Sequence, residues 1–320
     1  MRAVIIGGSG HVGTYLVPRL VEAGYEVVNV TRGQRQPYQP HPAWSHVQTV
    51  HADREADEAD GTFGVRIRDL QPDIVIDMIC FTLPSAQQLV TALRGQVTHF
   101  LHCGTIWAHG HSTAVPAREE QPRAPFGDYG IQKNAIERYL LDEARRGDFP
   151  ATVLMPGHIV GPGWPPLNPQ GNFNVKVFET LARGEPLTLP NLGLETVHHV
   201  HADDVAQAFM RAIQHWSASV GENYHTVSEQ ALTLRGYAEA VAGWFGQPAQ
   251  PEFMPWEEWR TTVSPDDVAA TWDHIAHSPN ASIAKAQRQI GYQPRYSSLQ
   301  GVRESVQWLM EQGKISVKLV

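Results

Sequence analysis

The sequence predicts an α/β fold, a doubly wound parallel sheet with a smaller C-terminal lobe. Three observations carry that expectation. Short apolar runs recur through the first half, at Ala3–Ile6, Glu26–Val30, Val47–Val50, Ile74–Met78, Thr98–His102 and Thr152–Met155, and helix-like segments separate most of them. The first and fourth runs are nearly continuous in apolar residues, as expected of strands covered on both faces. After Met155 the pattern changes, and residues 156–172 are rich in Gly, Pro and Asn.

The helix-like segments of the first half are Val12–Ala23, Phe63–Leu70, Ser85–Leu93 and Tyr129–Arg145. Residues 33–46 carry Pro37, Pro40 and Pro42 and are expected to form an inserted loop. Beyond the 156–172 loop, a helix is expected over Val175–Arg183, then strands near Leu187–Leu189 and Thr196–Val200. Asp203 is placed to cap a helix over Asp204–His215. Further helices are expected at Leu234–Phe245, Ser282–Gln289 and Leu299–Gln312. The expected division is residues 1–155 for the sheet, with some later segments returning to it, and 156–320 mainly for the smaller lobe.

Composition narrows the function classes. The chain has 320 residues, 42% apolar, enough for a well-buried core. A net charge of −8 and a pI near 6.0 give no basic surface for nucleic acid. No apolar run approaches the length of a membrane span, and the N-terminus has the pattern of a core strand rather than a leader. Cys80 and Cys103 are the two cysteines and are expected to be packed thiols. These features predict a cytoplasmic protein without nucleic-acid or membrane partners.

Gly7-Gly8-Ser9-Gly10-His11-Val12-Gly13 joins the first strand to the first helix. Glycine permits a sharp turn and lets a phosphate approach main-chain N–H groups. The helix that follows directs its positive end at the same spot. A strand before and a helix after supply the context of a dinucleotide site on a Rossmann-type sheet. The glycines fit both G-x-G-x-x-G and G-x-x-G-x-x-G.

Tyr129 and Lys133 lie four residues apart at the start of the helix after the fifth strand. On a helix they share one face. A neighbouring ammonium favours the phenolate and is expected to lower the tyrosine pKa, suiting it to pass a proton to or from a carbinol oxygen. The fifth strand runs into His102-Cys103-Gly104-Thr105, at the sheet edge where ligands bind, and Thr105 offers a hydroxyl to a substrate oxygen.

With these motifs in order, the chain resembles an extended short-chain dehydrogenase/reductase of the NAD-dependent epimerase/dehydratase type. The resemblance spans essentially the whole chain. It includes Ala52-Asp53, Cys103-Gly104-Thr105-Ile106-Trp107, Pro156-Gly157-His158-Ile159-Val160-Gly161-Pro162-Gly163 and Val200-His201-Ala202-Asp203-Asp204-Val205-Ala206. It implies catalytic roles for Thr105, Tyr129 and Lys133, with Tyr129 as acid/base and Lys133 on the cofactor ribose. It assigns the turn residues Gly7, Gly10, His11, Val12 and Gly13 to the dinucleotide, Asp53 to its adenine and Pro156 to its nicotinamide. It also implies a homodimer through the tyrosine-bearing helix, for which Ile136, Tyr139, Leu140 and Ala144 are expected to form a second apolar face.

The expected cofactor is NADP, with NAD as the alternative. The second strand ends in Val30-Thr31-Arg32-Gly33, so Thr31 stands where an aspartate would bind the ribose hydroxyls. Arg32, helped by Arg35, matches a 2′-phosphate in charge and geometry.

Several features of nucleotide-sugar epimerases are missing. Met155 follows the sixth strand where relatives have an arginine. Thr196-Val197-His198-His199 carries no basic residue, and neither does Thr271-Trp272-Asp273-His274-Ile275. Trp107, His109, His158, Asn172, Phe173, Asn174 and His199 are the candidates to line a polar pocket. No metal site is expected, because His198-His199-x-His201 lacks a spaced partner set. The leading expectation is an oxidoreductase acting at a secondary alcohol or ketone of a small polar, sugar-like substrate. The alternatives are an epimerase or dehydratase that retains NAD, and a non-enzymatic dinucleotide-sensing or RNA-associated relative.

Overall fold

The computed structural model describes residues 1–317. The first half alternates as the sequence predicts: β1 (Arg2–Ile6), α1 (Gly13–Glu22), β2 (Glu26–Thr31), β3 (Gln48–His51), α2 (Arg54–Ala59), α3 (Phe63–Asp69), β4 (Ile74–Asp77), α4 (Leu83–Leu93), β5 (His99–Cys103), α5 (Gly127–Arg145) and β6 (Ala151–Pro156). Then come β7 (His158–Val160), α6 (Lys176–Ala182), β8 (Leu187–Pro190), β9 (Thr196–Val197), β10 (His199–His201), α7 (Ala202–Gln214), α8 (Trp216–Ser219) and β11 (Asn223–Thr226). The chain ends through β12 (Leu232–Thr233), α9 (Leu234–Trp244), β13 (Pro251–Met254), α10 (Trp256–Trp259), α11 (Pro265–His277), α12 (Ala284–Ile290) and α13 (Ser298–Glu311).

Seven strands form one sheet in the order β11-β6-β5-β4-β1-β2-β3, and every pairing in it is parallel. All residues of β4, β5 and β6 are buried, as strands covered on both faces require. The strand order reverses between β1 and β4, so a crevice opens at the carboxyl ends of these two strands. The turn after β1 runs along it.

Ala3–Ile6, Val27, Val28, Ile74–Ile76, Phe100, Leu101 and Val153–Met155 fill the first core, together with Val205, Phe209, Tyr224 and Tyr292 from later in the chain. A second apolar cluster draws only on residues after 159, among them Val160, Phe178, Leu189, Val197, Tyr237 and Val306. Cys80 and Cys103 are buried free thiols, and burial raises the pKa of both. Among the described residues no helix is long and apolar enough to cross a membrane.

The structure corrects four local expectations. Residues 158–160 are not loop: they form β7, which pairs in parallel with β10, about 40 residues away. The expected strand Thr196–Val200 breaks at His198, because β9 pairs with β12 while β10 pairs with β7. Asp203 does not cap α7, which starts earlier than expected. His201 caps it, its Nδ1 accepting from the Asp203 N–H at 3.0 Å, and the Asp203 carboxylate accepts from Arg19 at 2.5 Å and Arg295 at 3.2 Å. Ile136 and Leu140 of α5 are wholly buried in the first core, so they give the helix no second apolar face, and Tyr139 and Ala144 pack against that same core.

Candidate active site

Two cavities meet at the carboxyl edge of the sheet. The first, of about 580 Å³, is walled by Gly7, Ser9 and Gly10, by Arg32 and Arg35 after β2, by Asp53 and Arg54 at the start of α2, and by Phe81 after β4. The second, of about 500 Å³, is walled by Thr105, Trp107, Tyr129, His158, Trp164, Phe173, Asp273 and His274, with His11 at its border.

The glycine turn of the first cavity is fixed by sterics. Gly7 has φ +87°, and a Cβ there would meet Ile79 at 2.8 Å. A Cβ on Gly13 would lie 1.9 Å from the Gly8 carbonyl oxygen, so the helix can approach the turn only without one. Asn29 Nδ2 donates to Ser9 Oγ at 2.8 Å and braces the turn from β2. No side chain caps α1, and its first turn has no acidic residue. The N–H groups of Thr14, Tyr15 and Leu16 bond the carbonyls of Gly10 and Val12, which leaves those of Val12 and Gly13, at the turn, to an anion. The glycines, the uncapped helix and the cavity fit a dinucleotide pyrophosphate.

Around this turn the residues take different parts. Arg32 is exposed at the cavity wall, in no ion pair among the described residues, and Thr31 Oγ1 accepts from the Gly33 N–H. Asp53 faces the cavity but uses Oδ1 to cap α2, accepting from Glu55 and Ala56. Its neighbour Arg54, which the sequence reading passed over, is the buried cation of the cavity. It donates to Asp77 and Glu58 at 2.7 Å each and lies 5.1 Å from the centre of the Phe63 ring. Val12 and Pro156 line neither cavity: Val12 is buried at the head of α1, and Pro156 is buried at the end of β6, opposite Thr226.

The second cavity assembles from separated segments. Thr105 ends the link from β5, its Oγ1 accepting from the Trp107 N–H at 3.2 Å. Trp107 closes a stacked column of His111, Phe126 and His277, with ring centres 4.0–4.2 Å apart at each step. The column holds the indole against Tyr129, whose ring lies 6.0 Å away edge-on. Lys133 is buried, its Nζ donating to the carbonyls of Cys80 and Cys103 at 2.8 Å each, and it sits 5.9 Å from the Tyr129 ring centre and 4.9 Å from that of Phe81. The expected drop in the tyrosine pKa is not found. Burial pushes the phenol up to about 12, with Thr105 pulling the other way, while the ammonium is turned to the two carbonyls.

His158 reaches the cavity from β7, and its Nε2 is buried with no hydrogen-bond partner among the described residues. His158, His274 and His11 are all held neutral by burial, His274 and His11 at about 4. Three expected pocket residues are elsewhere. His199 is fully buried on β10, its Nε2 bonded to the Leu167 carbonyl. Asn172 is fully buried, bonding Asn168 and Thr271 to shape the loop before α6. Asn174 accepts from the Lys176 N–H and donates to Asp267. Each of these side chains bonds other parts of the protein instead of lining the cavity, and the buried His199 Nδ1 has no partner among the described residues. His109 likewise pairs with His225, Nε2 to Nε2 at 2.7 Å. Trp164, Asp273 and His274 were missed. The Ser264-Pro265-Asp266-Asp267 run, a helix-start pattern, was the available signal for α11, which carries two of them.

The inserted loop after β2 reaches this region. The Tyr38 N–H donates to Thr14 Oγ1 at 3.1 Å, and the Tyr38 ring lies 5.4 Å from His11. A Cβ on Gly163 would come within 2.4 Å of that ring, so the segment before Trp164 packs directly on the insertion. His11 Nε2 bonds the Pro162 carbonyl at 3.1 Å and joins the two cavities at this point.

The chain was compared with known proteins. A family model described as the NAD dependent epimerase/dehydratase family matches residues 3–225. The chain is 27% identical to a 2′-dehydrokanamycin reductase of Streptomyces kanamyceticus, over 98% of this chain and 86% of that one. It is 23% identical to a UDP-glucose 4-epimerase of Mycolicibacterium smegmatis, over 96% of this chain and 98% of that one. A solved structure of a UDP-glucose 4-epimerase from Thermotoga maritima, with UDP-glucose, superimposes with a TM-score of 0.73 at 21% identity, over 98% of this chain and 99% of the other.

Proposed function

The chain belongs to the NAD dependent epimerase/dehydratase family and is an enzyme of the extended short-chain dehydrogenase/reductase type, and from that premise we propose that it reduces a ketone, or oxidises the matching secondary alcohol, on a small polar, sugar-like molecule. The observation that carries this reading is the placement of Tyr129 and Thr105 on one wall of a cavity that adjoins the glycine turn.

A bound nicotinamide supplies or accepts the hydride at the substrate carbon. Tyr129 gives its phenolic proton to the carbonyl oxygen as that carbon is reduced, and takes it back in the reverse direction. Thr105 holds the substrate oxygen beside the phenol. Trp107, fixed in its stacked column, sets the rear wall and keeps water from the reacting carbon. Lys133 keeps the ends of β4 and β5 in register through the carbonyls of Cys80 and Cys103 and lies against the Tyr129 ring.

The cofactor reading is NADP, on Arg32 at the cavity wall and Thr31 at the end of β2. A guanidinium recognises a 2′-phosphate by charge and paired N–H donors. A homodimer through α5 belongs to the same reading, resting now on Ile131, which is 47% exposed, rather than on Ile136 or Leu140.

Identifying the nucleotide that co-purifies, and assaying a sugar and ketone panel with NADPH and NADH, tests the reaction. Turnover with added NADPH from a nucleotide-free protein is the expected result. Tightly retained NAD, with interconversion of stereoisomers and no net redox change, would replace it with epimerisation. Light scattering that gives a monomer at micromolar concentration would remove the dimer.

A further inference from the structure

The second cavity contains one formal charge, and it is negative. Among the described residues that line it there is no lysine or arginine, and Asp273 on α11 is the sole ionised group. Asp273 is exposed, and its carboxylate pairs with no cation among the described residues. Lys133 is buried outside the cavity and bonded to two carbonyls. Arg35 lies 6.0 Å from the centre of the Trp164 ring but lines the first cavity.

Aromatic rings supply much of the remaining wall, with Thr105, Gly157, Ile159, Leu167 and Ala270 between them. Trp164 is 39% exposed, with His11 stacked on it at 6.2 Å, and Phe173 is 45% exposed. His274 packs edge-on to Phe173 with ring centres 5.7 Å apart, and His158 lies 4.5 Å from His274. The buried, unpartnered Nε2 of His158 belongs to this wall. It has a hydrogen bond to give or accept, and no group among the described residues takes it.

A nucleotide diphosphate brings two negative charges, which need arginine or lysine to offset their loss of water. This cavity would set them beside a carboxylate instead. An ammonium suits it better on three counts. It pairs with Asp273, it is attracted to the exposed Phe173 ring, and it meets imidazoles that burial keeps uncharged. A sugar ring also stacks on such a ring, and its hydroxyls give His158 Nε2 a partner.

Resting on the reading of this cavity as the substrate site, we infer that the substrate is an amine-bearing sugar or aminated cyclitol without a nucleotide, its ammonium held by Asp273 and a ring hydroxyl bound by His158.

The test is ligand binding, which does not depend on hydride transfer. Calorimetry with NADP⁺-saturated protein at pH 7 compares a panel of amino sugars, each with its hydroxyl analogue, and UDP-glucose. At least one amine is expected to bind about ten-fold more tightly than its hydroxyl analogue, the size of one charge-assisted hydrogen bond. Asp273→Asn should erase that ratio while leaving the hydroxyl analogue unchanged, and circular dichroism verifies that the variant folds. Equal binding within every pair, no detectable amine binding, or tighter binding of UDP-glucose would overturn the inference. The two readings fail separately. Amine binding without any NADP⁺ reduction would sink the redox reading alone, and turnover confined to unaminated substrates would sink this one alone.

Discussion

The two cavities are built by different means. The first draws on residues 6–85, at the ends of β1, β2 and β4 and the starts of α2, α3 and α4, and its glycine turn comes from one short run of chain. In that turn a Cβ on Gly7 or Gly13 would collide with its neighbours. The second is made of side chains gathered from the glycine turn, the link after β5, α5, β7, the loop before α6, and α11, which span residues 11–274. Local geometry creates the glycine turn of the first, and tertiary packing creates the second. A site of the first kind keeps its form while its surroundings change. A site of the second kind changes whenever one of its donor segments does, which is how one fold serves many substrates.

Four experiments bear on this contrast, in order of expected effect. The largest concerns acid. The imidazoles around the second cavity are buried neutral, His198 and His274 at about 4, His199 at about 3 and His158 well below its ordinary value. An unfolded histidine titrates near 6.5, so below that pH the unfolded chain binds more protons than the folded one. The stability these groups contribute is complete above about pH 6.5 and falls towards pH 4, by about 1.4 kcal/mol per pH unit for each of them. Thermal unfolding followed at pH 7, 6 and 5 should show a steep fall in Tm. A flat profile over that range would mean the imidazoles are solvated, and the contrast in construction would lose its main support.

Tyr129→Phe comes next. It keeps the ring against Trp107 and removes the transferable proton. Turnover should fall by about 10²–10⁴-fold, while calorimetric dinucleotide binding stays within error. Comparable losses in both would show that the cavities are energetically one site.

Arg54→Ala tests the part of the first cavity that is not local. It leaves Asp77, whose side chain is 1% exposed, buried and uncompensated. The expected cost is about 3–5 kcal/mol in denaturant unfolding. A cost near zero would mean that water replaces the guanidinium and that the wall is looser than its packing implies.

Arg32→Ala is the mildest. It lies at an exposed rim, so stability should not change. NADPH binding should weaken by about 1.5–3 kcal/mol, the range for a hydrogen bond to a charged group, with NADH barely affected. Equal losses for the two cofactors would remove Arg32 as the discriminating residue.

How much was legible in the sequence follows the same division. The glycine turn, six of the seven sheet strands and the Tyr129–Lys133 pair announce themselves in short windows, because their signals are apolar periodicity and fixed spacing. The seventh strand does not. Asn223-Tyr224-His225-Thr226 has a polar pattern, yet all four residues are buried. Asn223 donates to Glu137, and His225 Nδ1 bonds the Ser282 carbonyl, so partners distant in sequence make its burial tolerable. β7 was hidden for a related reason: its only strand partner is β10. Among site residues, Thr105, Tyr129, Trp107 and His158 were found at one cavity, whereas Asn172, Asn174 and His199 proved to be internal braces. A polar residue near a site either faces the space or shapes the loop beside it. Only the hydrogen-bond partner tells which, and that partner is usually far away in the chain.

The contact between Tyr38 and Gly163 sets a rule for anyone recombining this protein with its relatives. The segment carrying Trp164 is an obvious piece to exchange when a new specificity is wanted. Yet it rests on a ring donated by the insertion after β2, with room for no Cβ at residue 163. A chimera that imports the later segment alone would bring a side chain into that ring or leave a gap beneath it. The inheritable module is therefore discontinuous. Residues 36–39 and 161–164 have to travel together, though about 120 residues of sequence lie between them.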